Sequence, residues 1–434
     1  MEFNLSAGPA GATPATLAAL SRPVMNHLDP VFAAFYEETT ELLRRAFETP
    51  QAPVILQGEA VVGLEAAAAS LIGAQDVVLN LVSGVYGRYY GDWARRYARE
   101  VIDLEVPFDS AVPATAVAET LARRADITVV AVVHCDTPSG TVNDLDAIAP
   151  VVKSHGALLI VDAVSTFAGV RCDFTGWGAD LVVTAPQKCL GGPPGLSLLH
   201  VSDAAWEHMA ANPAAPRGSI LSILDWRDAH KATVPFPFTP SVSDIYGLRS
   251  CLEQYLAEGP AAVRQRHRAA ARAAQAGAEA MGLELWARDP SIRSDTATAI
   301  RMPAGIDERD VRARARAESG VALSDGVGEM AGIVARIGHM GPNAYPLGPV
   351  IALTAIGRAL RGLGAKADIG AAVEAAVAAA DAAVPDGAIS GGAIPGGAVP
   401  GGAVPGGAVP GGAISGDAIP GGAIPGDAIS GNAI

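Results

Sequence analysis

Apolar residues between positions 52 and 200 occur in short runs that are separated by helical patterns. Such short runs are typical of buried strands, and strands that alternate with helices indicate crossover units. The sequence therefore predicts an α/β fold with a mostly parallel, seven-stranded sheet that is covered on both faces. The predicted strands are Val54–Leu56, Val77–Val82, Val101–Val106, Ile127–Val133, Leu158–Val161, Leu181–Val183 and Leu196–His200.

After position 240 the pattern changes to longer helices with fewer strands. A helix is predicted from about 243 to 258, and a long Ala/Arg helix, Arg264–Met281, leads into a smaller α+β domain. The elements predicted for this domain are the strands Thr296–Met302 and Ala335–Ile337 and the helices Glu308–Glu318, 346–362 and 368–383. We predict an N-terminal arm (1–12), a large domain (13–258), a small C-terminal domain (259–384) and a tail (385–434).

The tail is set apart by its composition. Residues 386–434 repeat five-residue units of the type Gly-Gly-Ala-Ile/Val-Pro/Ser. Recurrent Gly and Pro disfavour helix and sheet, and one Ile or Val per unit buries too little apolar surface to offset the entropy of ordering. We predict a flexible, disordered tail without a catalytic role, and a β-solenoid is the alternative.

The overall composition restricts the class of protein. A chain of 434 residues with 50% hydrophobic residues can form two domains, and its net charge of −14 offers no attraction for nucleic acid or an anionic membrane. It lacks a signal-like start and an apolar run of about 18 residues, so we expect a cytoplasmic protein with neither a nucleic-acid nor a membrane partner. No metal site is predicted, because no metal-binding spacing includes Cys135, Cys172, Cys189 or Cys251.

Lys188 is the first candidate for chemistry. It follows the predicted strand Leu181–Val183 and precedes a turn that is rich in Gly and Pro. Strand ends carry the chemistry of open α/β sheets, and apolar neighbours favour the neutral amine, which can attack a carbonyl. Lys188 thus has the properties of a Schiff-base lysine, although a surface lysine beside a loop would give the same local pattern.

Asp162 ends another predicted buried strand, Leu158–Val161. A buried carboxylate requires a cation or hydrogen-bond donors, and a protonated pyridine nitrogen would supply both. A strand-end Asp followed by a strand-end Lys is how pyridoxal enzymes hold the two ends of the ring. A helix cap at a βα turn is the alternative for Asp162.

These residues carry a resemblance to a known family. Asp162 with Lys188, the opening Ser6-Ala7-Gly8-Pro9, and Arg336-Ile337-Gly338 resemble the class V, fold-type I aminotransferases of the alanine–glyoxylate group, over about residues 4–380. The resemblance implies a homodimer or homotetramer, with each active site between the large domain, the small domain and a second subunit. Further matching segments are 58–71, 83–87, 136–141, 188–191 and 235–243.

Glu59 stands where this family usually seats the cofactor phosphate, at a predicted helix N-terminus after Gly58. A carboxylate there competes with a phosphate for the same N–H groups, whereas the hydroxymethyl group of an unphosphorylated ring can donate a hydrogen bond to it. Together with the resemblance, this indicates that pyridoxal and pyridoxamine bind without phosphate. Alone, Glu59 could be a residue that matches the helix dipole.

The resemblance assigns roles to five further residues. Tyr86 matches the aromatic that stacks on the pyridine ring, and Thr137 matches a residue that hydrogen-bonds near its phenolic oxygen. Arg336 matches the arginine that binds the substrate carboxylate. Val61 and Phe238 match residues that enclose a small side chain of the substrate, such as the methyl group of alanine. A core tyrosine, an ordinary turn threonine and core apolar residues are the alternatives. In addition, Val327 stands where a second arginine is expected, which leaves the preferred keto acid open.

The resemblance implies an aminotransferase that interconverts pyridoxamine and pyruvate with pyridoxal and L-alanine, as in vitamin B6 degradation, through a Schiff base on Lys188. Pyridoxal and pyridoxamine are then substrate and product. One alternative is a conventional alanine or serine–glyoxylate aminotransferase with pyridoxal phosphate as cofactor, and another is a lyase on the same fold.

Overall fold

The computed structural model describes residues 3–383. The predicted flexible tail, 385–434, lies outside the described residues. The elements of the first half are β1 (Phe3–Asn4), α1 (Pro14–Leu20), α2 (Pro30–Ala46), β2 (Val54–Gln57), α3 (Ala60–Leu71), β3 (Val77–Val82), α4 (Val85–Ala94), β4 (Glu100–Glu105), α5 (Ala114–Arg123), β5 (Val129–Val133), β6 (Cys135–Asp136), β7 (Thr141–Val142), α6 (Leu145–His155), β8 (Leu158–Asp162), β9 (Leu181–Thr184), β10 (Leu196–Val201) and α7 (Asp203–Ala211).

Longer helices dominate the remainder, as the sequence pattern predicts. The elements are α8 (Val242–Glu258), α9 (Pro260–Ala280), β11 (Glu284–Leu285), β12 (Ala297–Arg301), α10 (Glu308–Ser319), β13 (Val321–Ala322), β14 (Val334–Gly338), α11 (Leu347–Gly362) and α12 (Ile369–Ala383). Short 3₁₀ turns lie at Leu224–Trp226, Pro290–Ile292, Gly328–Met330 and Gly341–Asn343.

All seven strands predicted for the large sheet are present. The strand order is β2-β10-β9-β8-β5-β3-β4, and β10 alone runs antiparallel to its two neighbours in this sheet. Six of these strands are mostly buried, as expected for a sheet covered by helices on both faces. The prediction of a mostly parallel α/β sheet is confirmed.

The C-terminal part of the chain has a hydrophobic cluster of its own. Helices α9, α11 and α12 supply about half of its buried residues, and the strands β11, β12 and β14 form a three-stranded antiparallel sheet beside it. The α8–α9 junction lies at Gly259, whose φ of 91° favours glycine. The proposed domain boundaries at 12, 258 and 384 stay predictions.

Several elements escaped the sequence pattern. The helices α2 and α7 and the two-residue strands β1, β6, β7, β11 and β13 are not among the predicted elements. Two residues cannot display the period of a strand, so such pairs form only where tertiary contacts bring their partners together. The pairing of β1 with β13 is an example, since it joins the N-terminal arm to a strand more than 300 residues away along the chain.

Among residues 3–383, no helix has the length and apolar character that crossing a membrane requires. Nor does this part of the chain bring three His, Cys, Asp or Glu side chains together in a way that could hold a metal ion.

Candidate active site

A cavity of about 320 Å³ lies at the carboxyl ends of the central parallel strands, where open α/β sheets bind their ligands. This volume is in the usual range for sites that hold small molecules. Five of the sequence-predicted site residues line it: Glu59, Val61, Tyr86, Asp162 and Lys188. The fold therefore brings together residues that lie up to 129 positions apart in the chain.

Lys188 lies in the turn after β9 and projects into this cavity. Its Nζ atom donates a hydrogen bond to the carbonyl oxygen of Ala7 in the N-terminal arm, at 3.0 Å. Burial lowers the pKa of Lys188, and the positive charge of Arg336 lowers it further, whereas Asp162 and Glu59 oppose this shift. The amine is therefore closer to its neutral, nucleophilic form than a lysine in water.

Asp162 is the last residue of β8, and its side chain is almost fully buried. One carboxylate oxygen accepts a hydrogen bond from the backbone N–H of Val164 at 2.9 Å. Burial raises the pKa of Asp162 to about 7, and the nearby Asp136 contributes to the rise. A buried carboxyl group of this kind would be stabilised in its ionised form by a cation in the cavity.

Asp136 is a residue of the site that sequence reasoning missed. Its carboxylate accepts a hydrogen bond from the backbone N–H of Tyr86 at 2.9 Å, at the N-terminus of helix α4. A Cβ atom on Gly84 would lie 2.0 Å from the Asp136 carboxyl carbon, so only glycine leaves room for this contact. Asp136 therefore fixes the first turn of α4 and with it Tyr86.

The charge state of Asp136 is also sensitive to its surroundings. It is fully buried, and burial raises its pKa to about 6, although backbone N–H groups and Arg336 oppose the rise. Its second oxygen has no hydrogen-bond partner among the described residues. The adjacent Gly84, which the resemblance already highlights, is the sequence signal that could have pointed to it.

Glu59 occupies the N-cap position of helix α3, but its side chain makes no capping hydrogen bond. Gly58 has a φ of 120°, a conformation that favours glycine, and it turns the chain from β2 into α3. The Ser197 hydroxyl of β10 fixes this turn: it lies 2.9 Å from the carbonyl oxygens of both Gly58 and Glu59 and accepts a hydrogen bond from the N–H of Gly63. The Glu59 carboxylate thus faces the cavity from a rigid support, without a hydrogen bond or ion pair to residues 3–383.

Gln187 is a second residue that sequence reasoning missed. It precedes Lys188, lines the cavity and is 5% exposed. Its amide oxygen has no hydrogen-bond partner within the described part of the chain. A buried amide without a partner is costly, so a polar group of a ligand would stabilise it.

Three predicted site residues do not line the cavity. Arg336, on β14, is 7% exposed, and its guanidinium donates hydrogen bonds to the backbone oxygen and the carboxylate of Asp325 at 2.6 and 3.3 Å. Its charge still acts on two residues of the cavity: it adds to the effect of burial in lowering the pKa of Lys188, and it opposes the rise that burial causes in the pKa of Tyr86. Thr137 lies buried in the turn between β6 and β7, and Phe238 is 39% exposed, outside the cavity.

Val327, which replaces the expected second arginine, lies just before the 3₁₀ turn Gly328–Met330. It packs against a small hydrophobic cluster that includes Val85 and Phe108. Val327 thus packs among apolar residues at a position where the resemblance leads us to expect a cation.

Comparison with known proteins decides the family. The profile of the family described as aminotransferase class V matches residues 23–337. The chain belongs to the class V aminotransferase family. This aminotransferase has the fold-type I architecture, and Asp162 and Lys188 lie at or just beyond the ends of the adjacent strands β8 and β9.

Named relatives of this aminotransferase include pyridoxamine–pyruvate transaminase of Mesorhizobium japonicum, which is 52% identical over 380 residues, 88% of this chain and 97% of that protein. The L-aspartate–glyoxylate aminotransferase of Paracoccus denitrificans is 32% identical and covers 85% of this chain and 93% of its own length. A crystal structure of pyridoxamine–pyruvate aminotransferase from Mesorhizobium loti superposes with a TM-score of 0.87 at 51% identity and covers 88% and 97% of the two chains.

Proposed function

We propose that this aminotransferase interconverts pyridoxamine and pyruvate with pyridoxal and L-alanine, and that Lys188 is its catalytic residue. The observation that carries the proposal is the Glu59 carboxylate, which faces the cavity at the start of helix α3 without a partner in residues 3–383. The relative at 52% identity, which is named for this reaction, supports it. We also propose that the enzyme acts in the cytoplasm and in vitamin B6 degradation.

The residues of the cavity fit a pyridoxal-type ring. Asp162 would hold the protonated pyridine nitrogen, Tyr86 would stack on the ring, and Lys188 would meet the aldehyde carbon. Thr137, which does not line the cavity, is proposed to hydrogen-bond near the phenolic oxygen from the adjacent turn. The ring would supply an electron sink for the bond electrons of the substrate α-carbon. The buried Asp162, whose pKa is raised to about 7, fits a partner that brings a positive charge.

Lys188 has two tasks in this scheme. Its neutral amine would attack the aldehyde carbon of pyridoxal, and once released it would move a proton between the substrate α-carbon and the exocyclic carbon of the ring. Both tasks require a deprotonated amine at neutral pH. The lowered pKa of Lys188 favours this form, because burial and the charge of Arg336 destabilise the ammonium ion.

Arg336 would bind the substrate carboxylate with its planar guanidinium group. In the structure Asp325 holds this group, and because the Asp325 side chain is 56% exposed, it can give way to an incoming carboxylate at little cost. Val61 and Phe238 would wall the methyl group of alanine. The exposed Phe238 lies outside the cavity of its own chain, which fits a role at the site of a second subunit in a homodimer or homotetramer.

The proposed reaction can be tested directly. Purified protein that has been freed of bound vitamers is incubated with pyridoxamine and pyruvate, without pyridoxal phosphate, and pyridoxal and alanine are measured. We expect both products in equal amounts, with many turnovers per subunit. Formation of products only after addition of pyridoxal phosphate, with alanine or serine and glyoxylate as substrates, would instead support the conventional aminotransferase, and net cleavage of an amino acid would support a lyase.

Glu59 is expected to select against the phosphate. Replacing Glu59 with alanine removes the negative charge from the N-terminus of α3, so that a phosphate no longer meets a like charge there. We expect the affinity for pyridoxal phosphate relative to pyridoxal to rise about tenfold or more, measured by titration of the visible absorbance of the bound ring.

Glu59→Gln is the matched variant for this measurement. It keeps the size of the side chain and removes only the charge, so it should shift the preference in the same direction. Equal affinity for both vitamers in the unmodified protein would refute the assignment of Glu59.

A further inference from the structure

The N-terminal arm (residues 3–12) covers the amine of Lys188. The carbonyl oxygen of Ala7 accepts the hydrogen bond from Lys188 Nζ, and a Cβ atom on Gly8 would lie 2.1 Å from Nζ. Gly8 has a φ of 121°, so both its conformation and the close approach favour glycine. The arm is also hydrogen-bonded to the turn that carries Lys188, because the N–H of Ala10 donates to the carbonyl oxygen of Gln187 at 2.8 Å.

The other side of the arm is attached to the strand that carries Arg336. The backbone N–H of Ala7 donates a buried hydrogen bond to the hydroxyl of Ser324 at 2.8 Å. Ser324 in turn exchanges two backbone hydrogen bonds with Arg336, at 3.1 and 2.9 Å. Gly338 of the same strand packs so closely that a Cβ atom there would lie 1.9 Å from the carbonyl oxygen of Ser6.

We propose that Ser324 is a positioning residue. Its hydroxyl holds the arm over Lys188, so that the Ala7 carbonyl oxygen sets the direction of the lysine amine. An amine that donates one N–H to a fixed carbonyl has its remaining N–H groups or lone pair directed elsewhere, here toward the cavity. Ser324 touches neither the ring nor the substrate in this scheme. It acts through Ala7, and it links the strand of the carboxylate-binding Arg336 to the lysine.

The hydrogen bond between Ala7 and Ser324 also controls how much water reaches Lys188. The charged groups that face Lys188 are Arg336, Asp162 and Glu59, together with the thiol of Cys189, and burial is the largest influence on its pKa. Backbone hydrogen bonds of Leu5 and Ala10 attach the arm on either side of Ala7, so the segment that Ser324 controls is the one between them. If this segment moves away, the lysine gains water, and its pKa should rise toward the ordinary value because desolvation disfavours the ammonium form. The loss of the Ala7 acceptor opposes this rise, but burial is the largest influence on the pKa of Lys188.

Competitive labelling with trace acetic anhydride tests this without substrate or cofactor. The chain has four lysines, and the exposed Lys231 and Lys366 serve as internal references in peptide mass spectrometry. In Ser324→Ala we expect the pH midpoint of Lys188 labelling to rise by about one unit, with the references unchanged. A shift of one unit leaves about tenfold less neutral amine at pH 7, so kcat should fall about tenfold while KM for the carboxylate substrate changes less than about twofold.

Two variants separate positioning from general disruption. Ser324→Thr keeps the hydroxyl and should have the labelling midpoint and kcat of the unmodified protein. Ser324→Cys has only a weak acceptor, so its midpoint and kcat should lie between those of Ser324→Ala and the unmodified protein. Ser6→Ala removes a hydroxyl of the same arm that bonds only to Asn4 and Pro9, and it should leave the midpoint in place.

Unchanged labelling in Ser324→Ala, failure of threonine to restore it, or an equal shift in Ser6→Ala would overturn the proposal. If Ser324→Ala does not fold, the Ser324→Cys and Ser324→Thr pair decides by the same criteria. The inference rests on the proposed role of Lys188 only for the effect on kcat. The labelling midpoint reports the arm even if the substrate assignment fails.

Discussion

Replacement of Lys188 with alanine is expected to abolish turnover, with a loss of at least about a thousandfold, because the side chain would serve both as nucleophile and as the group that moves the proton. The visible absorbance that appears when pyridoxal binds covalently to the protein should disappear as well. The measurements are steady-state production of pyridoxal and alanine and an absorbance titration with pyridoxal.

The fold should tolerate this change. Alanine leaves the carbonyl oxygen of Ala7 without its donor, which costs about 1–3 kcal/mol, but it also removes an amine whose charged form is disfavoured by burial. Lys231→Ala, at an exposed lysine paired with Asp228, is the matched control and should retain full turnover. A Lys188→Ala protein that interconverts pyridoxamine and pyridoxal at an undiminished rate would refute the mechanism.

The seven-stranded sheet and the positions of Asp162 and Lys188 at its edge could be predicted because their signals are local. Apolar runs indicate buried strands whatever strands they pair with. Asp162 directly follows one such run, and Lys188 lies in the turn after another. Their proximity in the structure results from parallel pairing of β8 with β9, which places the carboxyl ends of both strands at the same edge of the sheet.

The supporting contacts could not be predicted in this way, because they join residues that are distant in the sequence. The bond between Ala7 and Ser324 spans 317 positions, and that between Ser197 and the Glu59 turn spans 138. No periodicity connects such pairs. Asp136 was missed for a different reason: its effect on Tyr86 passes through a backbone N–H group, which leaves no mark on residue type except at Gly84, where a side chain would not fit.

Several features of the site would be unfavourable without a ligand. Asp162 and Asp136 are buried carboxyl groups with raised pKa values, and the amide oxygen of Gln187 lacks a partner among residues 3–383. Buried polar groups of this kind lower the stability of a protein, and they cluster at sites that must bind charge. The empty site is therefore expected to be a local source of instability that a bound pyridinium ring relieves.

Asp162→Asn tests this relation between stability and function. Asparagine has nearly the same shape as aspartate, but it cannot keep the pyridine nitrogen protonated, so the ring would lose its power to accept electrons. We expect the variant to bind pyridoxal while kcat falls at least about a hundredfold, measured by absorbance titration and by turnover. Turnover close to that of the unmodified protein would show that Asp162 does not hold the ring nitrogen.

Without ligand, the Asp162→Asn variant should be more stable than the unmodified protein. The pH dependence of this difference in stability identifies its cause. Asp162 has a pKa of about 7 in the folded protein and about 4 when unfolded, so between these values the folded state binds one more proton than the unfolded state. Its contribution to the free energy of unfolding therefore falls as pH rises, by about 1.4 kcal/mol per pH unit from pH 4 to pH 7, and is constant above pH 7. Asparagine does not titrate, so the stability of Asp162→Asn relative to the unmodified protein should increase across this window, as measured by urea denaturation at several pH values. A difference that is independent of pH would mean that Asp162 is already ionised in the empty site.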